Sequence, residues 1–290
     1  MKQLCFACGV AIVTAKTALA QFTPALLQNN SYWGGGKAEF DYYDAQVVCQ
    51  GQPRSSEMLM IFVREPVDAK TLARIDDPQK PNAMSTIRLH QIATLPVGMF
   101  VAQQSLTAHW RLDSLSLARL SVVGTDALGN FSRRLEEKRE ANLKSWFSFY
   151  DTYRDGAGFD IIAAPPKEQA IFYDELPLRV RSIDFSKANG DFAIQLAPSL
   201  IKEKLDTIVF KPAKLAWKIG ERTIDLDLRY DAGTDHFVLD REFPFLLREW
   251  TLADGGRIKM KNSLRVDYWK YNKPGDRERA LKDPMLRHPD

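Results

Sequence analysis

Cysteine is scarce in this chain of 290 residues, which contains three. Two of them, Cys5 and Cys8, lie in an N-terminal segment that we predict is removed, so only Cys49 stays in the mature chain. A single cysteine excludes an intramolecular disulfide, and the fold must therefore be held together by its core. Because Cys49 follows Val47 and Val48, we expect it to be a small buried residue. A reactive thiol and an intermolecular disulfide are the alternatives.

The chain also lacks the short motifs of metal, nucleotide and nucleophile sites. Its four histidines are too far apart in sequence for the close ligand pairs of a metal site: His90, His109, His236 and His288. There is no Gly-x-Ser-x-Gly elbow, and the glycines at 34–36 before Lys37 lack the spacing of a phosphate-binding loop. We therefore nominate no catalytic residue, no metal and no cofactor.

An excess of charge of one sign and a long apolar run are missing as well. Forty Lys and Arg residues stand against 37 Asp and Glu residues, a formal net charge of +3. Loss of Lys2 and Lys16 with the N-terminal segment would leave +1. Because phosphate binding needs a basic face, we expect no nucleic-acid partner. Apolar stretches beyond the first twenty residues are short and interrupted by charge, so no transmembrane segment is expected.

The first twenty residues are typical of a signal peptide. Lys2 precedes an apolar run at residues 4–13, and Ala18 and Ala20 supply the small residues that a signal peptidase reads. The run is about half of the roughly 20 residues that a membrane anchor, the alternative interpretation, would need. We predict cleavage before Gln21 and export to the periplasm or the medium.

Alternation of polar and apolar residues with period two is the clearest structural signal. It runs through residues 223–230 and again through 257–268, which predicts half-buried antiparallel strands. The turn sequences at 231–233 and 254–256 each combine Asp and Gly, as tight hairpins require. In the N-terminal half the pattern is less regular, with a turn at 96–98 and candidate strands at 38–48, 57–64, 86–95, 99–111, 114–123, 131–139 and 141–150.

These elements predict a mainly β fold, an antiparallel meander curled into an open or closed barrel-like sheet. The exception is a short helical insertion near 166–185, after Pro165 and Pro166, which Pro177 should kink or divide. We expect a single β-rich domain over 21–274 and a surface tail over 275–290. The pattern also admits two similar halves, 38–160 and 190–272, around the helical segment.

Aromatic residues bracket the predicted strands and have two interpretations. Large rings would supply most of the core of a disulfide-free β protein, or they could line a ligand cavity inside a wide barrel. The candidate ligand-binding residues are Trp146, Phe149, Tyr150, Trp250 and Tyr268. The paired carboxylates of Asp225 and Asp227 share a strand face. A glycosidase would need such a pair, but a solvated sheet surface explains them without catalysis, and we prefer that interpretation.

Several segments resemble the opening and middle of a family of exported bacterial proteins. They include Tyr32-Trp33, residues 36–40, 51–54 and 62–66, and the stretch at 171–178. Members of that family are mostly uncharacterised, and some carry a septum-formation-inhibitor label. That label belongs to a cytosolic nucleotide pyrophosphatase family whose Ser-Pro-Arg-Arg signature is absent here. The resemblance implies a bacterial exported protein and assigns no functional residues.

The sequence thus favours a non-catalytic cell-envelope protein that binds an apolar or amphipathic molecule, such as a lipid, or an envelope protein partner. A purely structural or scaffolding β module is the first alternative. A hydrolase with carboxylates from separate strands is the second, so an enzymatic activity stays open. An apolar cavity would separate binding from scaffolding, and two facing carboxylates in a cleft would favour the hydrolase.

Overall fold

The computed structural model describes residues 22–49, 51–126, 129–136, 146–151, 156–160, 169–201 and 208–288. At residues 49, 126, 129, 136, 146–151 and 156–160 it describes the backbone alone.

The described residues form fifteen strands in one sheet. The N-terminal half contributes β1 (Ala38–Cys49), β2 (Gln52–Asp68), β3 (Ala83–Val97), β4 (Phe100–Arg111), β5 (Leu117–Asp126), β6 (Gly129–Glu136), β7 (Trp146–Asp151) and β8 (Gly156–Asp160). The C-terminal half contributes β9 (Ala170–Phe172), β10 (Asn189–Ala197), β11 (Lys211–Ile219), β12 (Thr223–Tyr230), β13 (Gly233–Asp240), β14 (Leu247–Thr251) and β15 (Arg257–Val266).

Two antiparallel meanders meet where β1 pairs with β15. The spatial order runs from β8 down to β1, then from β15 down to β9. All pairs are antiparallel except β9 with β10. The strands β8 and β9 are the two edges, so the sheet in the described ranges is open. This architecture confirms the predicted mainly β meander and selects its open form.

The local turn predictions are confirmed. Tyr230 pairs with Gly233 across the hairpin of β12 and β13. The register of β1 against β15 shifts between Tyr42 and Tyr43, where β15 holds one extra residue, Lys261. Val97 pairs with Phe100, so the turn holds two residues. Its first central residue, Gly98, has φ of +61°, which the primed hairpin turns require.

The predicted helical insertion begins instead with a short strand that pairs with β10, and only its later part is helical, as three consecutive single turns. Residues 170–183, named the plug here, comprise β9, a 3-10 helix at Tyr173–Glu175, helix α3 (Leu176–Arg179; helices are numbered with α1 and α2 below) and a second 3-10 helix at Val180–Ser182. Pro177 lies in the first turn of α3, where it removes no helical hydrogen bond. Residues 176–183 are all buried. Residues 166–168 lie outside the described ranges.

One hydrophobic cluster holds the plug and both halves of the sheet together. It includes Phe62 and Leu89 from the first meander, Leu178 from the plug, and Leu215 and Phe237 from the second meander. Helices α1 (Ala25–Gln28) and α2 (Asn30–Trp33) add Leu27 and Trp33 to it. The two β halves therefore share one core.

The C-terminal residues lie against the sheet. Helix α4 (Asp276–Lys282) buries Ala280 with Leu264 and Val266 of β15, and Phe40 and Tyr42 pack on this second cluster. A 3-10 helix follows at Pro284–Leu286, and the His288 amide donates to the Ser263 carbonyl at 3.1 Å. The segment predicted as a surface tail thus covers part of one sheet face. In the described ranges, no helix has the length and apolarity needed to cross a membrane.

Candidate functional site

A buried ion pair joins the plug to β1. Arg181 is 1% exposed and Glu39 is 0% exposed. The guanidinium donates to both Glu39 carboxylate oxygens, at 2.6 and 3.1 Å, and to the Pro244 carbonyl at 3.0 and 3.2 Å. It also lies 5.0 Å from the centre of the Phe62 ring. The bidentate geometry and the extra acceptor satisfy the charge inside the core.

Asp41 lies two residues after Glu39 on the same face of β1, and its pKa is shifted in the opposite direction. Burial and the negative charge of Glu39 raise the pKa of Asp41 well above its usual range, against the opposing effect of Arg181. Burial alone would also raise the pKa of Glu39, but the charge and hydrogen bonds of Arg181 lower it. Asp41 accepts from the Ser263 hydroxyl at 2.5 Å. The guanidinium thus lowers the pKa of Glu39, while the pKa of Asp41 beside it is raised.

Tyr32 and His288 close this cluster toward the C-terminal segment. The Tyr32 hydroxyl donates to Glu39 and lies 2.9 Å from Nε2 of His288. The pKa of Tyr32 is raised by burial and by the Glu39 charge, and burial lowers the pKa of His288. The Arg265 guanidinium lies 4.5 Å from the centre of the Tyr32 ring. The Tyr32 hydroxyl contacts both Glu39 and His288, and Glu39 binds Arg181, so the cluster is a structural tie between plug, sheet and C-terminal segment.

Two adjacent acids of the plug bind other parts of the core. Glu175 accepts from the Trp110 indole at 2.7 Å, from Arg179 Nη2 at 2.7 Å and from the Phe172 amide at 2.9 Å. Asp174 accepts from the Ser199 hydroxyl at 2.5 Å and from the Leu200 amide at 2.7 Å. Burial raises the pKa of Asp174 to about 6, although these two hydrogen bonds oppose the shift. Both carboxyls thus serve as acceptors for buried donors.

Another buried acid, Asp235, fixes one of the predicted ligand-binding residues. It accepts from the Trp250 indole at 2.9 Å, the Tyr230 hydroxyl at 3.0 Å, the Ala253 amide at 2.8 Å and the Tyr173 hydroxyl. The Trp250 ring stacks on Phe237 at 5.0 Å and is 5% exposed. Trp250 therefore lies in the core with its polar atom bonded to protein.

Of the other predicted site residues, the structure describes the side chain of Tyr268, which packs in a different cluster from Trp250. Tyr268 is on the opposite, C-terminal side of the sheet, where its hydroxyl accepts from Arg74 at 2.9 Å and its ring packs against Phe40 and Trp269. Trp146, Phe149 and Tyr150 belong to β7, and their side chains lie outside the described residues, as does that of Cys49. The ligand-binding role of these aromatic residues stays a prediction.

The paired carboxylates of β12 lie on an exposed surface beside a histidine. His236 of β13 places Nδ1 2.9 Å from Asp227 and Nε2 3.7 Å from Asp225. Arg229 pairs with Asp227 at 3.3 Å. The side chains of Asp225 and His236 are 49% and 43% exposed, so solvent screens this cluster. Among the described residues, no group of three or more His, Cys, Asp and Glu side chains is placed to hold a metal ion.

A cleft of about 490 Å³ opens where the loop after β2 meets the end of β4. Its lining mixes polar and apolar residues: Gln28, Ala69, Ala83, Met84, Ser85, Arg111, Leu112 and Asp113. No pair of carboxylates faces across the described lining, since Asp113 is its one acidic residue. The cleft therefore lacks the arrangement that a glycosidase requires.

The most unusual exposed feature is the tip of the β3–β4 hairpin, residues 95–102, named the finger here. Its strands pair with each other through Leu95–Ala102, Pro96–Val101 and Val97–Phe100. The ladder to β2 ends at Glu57–Thr94, and the ladder to β5 ends at Gln103–Thr125. Within the described residues the finger thus continues for three residue pairs beyond both neighbouring ladders, whereas β2 itself runs on to Gln52 in its pairing with β1.

The finger is apolar and well exposed. Met99 is 104% exposed and Val101 is 54% exposed, while Leu95, Val97 and Phe100 are half-buried. No Asp, Glu, Lys or Arg occurs between Arg88 and Arg111. The sequence predicts the turn but does not nominate it as a site. The signal that could have found it is the uncharged stretch with apolar residues at both even and odd positions.

Comparisons with known proteins give little guidance on function. No model of a known protein family matches the chain, and no curated protein matches it. The chain aligns with the crystal structure of a beta-barrel-like protein of the domain of unknown function DUF1849 from Brucella abortus. The two are 9% identical, the alignment covers 80% of this chain and 98% of that chain, and the TM-score is 0.44. The resemblance to exported bacterial proteins stays a prediction.

Proposed function

We propose that the protein is an exported, non-catalytic β module that binds an apolar or amphipathic molecule or partner at the finger. The uncharged finger carries this proposal, because Met99 and Val101 expose large apolar side chains within one hairpin, and contiguous exposed apolar surface marks interaction sites. Every residue of the finger that is well exposed is apolar or Gly: Pro96, Gly98, Met99 and Val101.

The interior offers less support for ligand binding. The plug fills the space between the two meanders, and its Leu176, Leu178 and Val180 are fully buried. The buried acids Glu39, Glu175 and Asp235 all accept hydrogen bonds from protein donors. In the described part of the chain, these groups hold parts of the protein together and their acceptor role serves protein donors, so we assign binding to the outer surface.

The filled interior also favours a second candidate, a purely structural or scaffolding module. In that case the finger would bind no ligand or partner. The two candidates differ in what a change at Met99 should do, since Met99 has no packing role that folding could require.

Native mass spectrometry of protein purified from its host under non-denaturing conditions separates them. The samples are wild type, Met99→Ser and Met285→Ser, which makes the same change at a methionine that is 88% exposed elsewhere. We expect a co-purified amphiphile or partner with wild type and Met285→Ser, and a marked loss of it with Met99→Ser. A clean mass of the bare chain in all three samples would reject binding and leave the structural module.

A further inference from the structure

We propose that residues 276–288, named the strap here, lift from the sheet on acidification while the main core stays folded. The proposal goes beyond the proposed function and does not depend on the finger. Its basis is a packing cluster separate from the main core, a turn that can serve as a hinge, and a histidine enclosed by charged groups.

The strap packs on the sheet through a small cluster of its own. Ala280 of α4 is buried with Leu264 and Val266 of β15. This cluster is separate from the main hydrophobic cluster that joins the plug to both meanders. From 281 to 288 every side chain is half-buried or exposed. A segment with few buried apolar contacts opens locally at a smaller cost in free energy than global unfolding.

The strap has a hinge at one end and an attachment to the sheet at the other. Gly275, directly before α4, has φ of +83°, a conformation that favours glycine. A change of φ and ψ at one or two such loop positions moves everything beyond them. At the other end, Arg287 forms an isolated bridge to Leu264, and the His288 amide donates to the Ser263 carbonyl at 3.1 Å.

His288 places a titratable group at this attachment. Its Nε2 lies 2.9 Å from the Tyr32 hydroxyl, and the two ring centres are 5.7 Å apart. Because the Tyr32 hydroxyl donates to Glu39, we assign Nε2 of the neutral imidazole as the donor to Tyr32. The protonated ring keeps the same Nε2–H. Protonation therefore changes the charge at the attachment and leaves this hydrogen bond in place.

A protonated His288 would meet more positive than negative charge. Three guanidiniums act on the imidazole, those of Arg181 in the plug, Arg248 in β14 and Arg265 in β15. The opposing negative charge is the Glu39 carboxylate of β1. Burial has the largest effect and lowers the pKa of His288; Glu39 raises it, and the three guanidiniums lower it. Since a lifted strap returns the imidazole to its ordinary pKa of about 6.5, protons bind the lifted state better and acid favours lifting.

Two other titratable groups belong to the same cluster. Burial and the Glu39 charge raise the pKa of Tyr32, so its hydroxyl keeps its proton over the range that concerns His288. The pKa of Asp41 is raised as well, and Asp41 accepts from the Ser263 hydroxyl beside the attachment. Asp41 is therefore the competing source of pH dependence, which a variant of His288 separates.

Hydrogen exchange followed by mass spectrometry tests the strap in the intact protein. His288→Gln keeps a side-chain donor that does not titrate, and His236→Gln makes the same change at an exposed histidine of β13. From about pH 7.5 to about pH 5.5, with rates corrected for intrinsic exchange, the strap of wild type and of His236→Gln should lose protection by about three- to tenfold, as one imidazole requires. In His288→Gln the strap should be equally protected at both pH values. Residues 223–230 of β12 should not change in any sample.

Three results would overturn the proposal. They are unchanged protection of the wild-type strap, an unaltered pH dependence in His288→Gln, which would assign it to Asp41 or another group, and a parallel loss in β12, which would mean that the whole fold loosens. If His288→Gln leaves the strap unprotected at both pH values, a nuclear magnetic resonance titration of the wild-type imidazole decides. A His288 midpoint below about 6.5 supports the proposal, and one at or above that value rejects it.

Discussion

At the scale of single residues, the buried charges are the strongest determinants of structure. Arg181 and Glu39 form a fully buried pair, and burial and the Glu39 charge raise the pKa of Asp41 beside them. Removing one partner of such a pair is costly because it leaves an unpaired charge in the core, whereas removing both is much less so.

Arg181→Met should lower the free energy of unfolding by about 3–5 kcal/mol, because Glu39 would lose its counter-ion. The double variant Glu39→Gln, Arg181→Met should recover most of that loss. Lys214→Met, which breaks the exposed pair with Asp191, should change little. Urea unfolding followed by tryptophan fluorescence measures all three. Equal stabilities of the single and double variants would show that the pair is not coupled.

This cluster could not be predicted from the alternation of residues along β1. In β1 the apolar residues Phe40 and Tyr42 alternate with the acids Glu39 and Asp41. Both faces of the strand are covered, because the C-terminal segment packs on Phe40 and Tyr42 while the plug brings Arg181 to Glu39. Both partners are distant in sequence, and alternation alone carries no information about them.

At the scale of elements, a strand with one buried face is easier to predict from the sequence than a strand with both faces buried. In β12 one face is buried and the other is exposed or half-buried, and the alternation predicts the strand well. In β2, Phe62 and Val63 are both buried, so the buried positions change from even to odd numbers within the strand. The strand also extends beyond the predicted 57–64 at both ends. The plug is recognised as an interruption, but its division into single turns depends on packing that the local sequence does not encode.

The plug should contribute stability in proportion to the space it fills. Leu178→Ala would leave a cavity in the core and should cost about 2–5 kcal/mol of unfolding free energy. Val209→Ala, at a position that is 52% exposed, should have little effect. Chemical denaturation measures both variants. A loss at Leu178 no larger than at Val209 would mean that the plug is only loosely packed.

At the scale of the whole molecule, one core predicts one folding unit. The main hydrophobic cluster contains residues of both meanders and of the plug. The halves admitted by the sequence, 38–160 and 190–272, are therefore two arms of one sheet, joined by the β1–β15 pairing. That pairing links segments more than two hundred residues apart, which is why periodicity along the chain predicts the strands but not this junction.

Unfolding should accordingly proceed as a single cooperative transition. Far-ultraviolet circular dichroism and tryptophan fluorescence should give the same midpoint, and the calorimetric and van't Hoff enthalpies should agree. Deleting residues 275–290 should lower that midpoint, because Leu264 and Val266 would lose their cover. Two separated transitions in the intact chain would contradict a shared core.

The pairing of the first strand with the last also sets the order of events during synthesis. While a ribosome makes the chain, β1 and β2 are available early, but β1 keeps a bare edge until β15 has been made. The contacts that complete the cluster, such as Ser263 with Asp41, join residues 222 positions apart. Such distant contacts are costly in loop entropy and slow to form. The nascent chain therefore carries an incomplete edge for most of its synthesis, and its fold can close only when the last strand arrives.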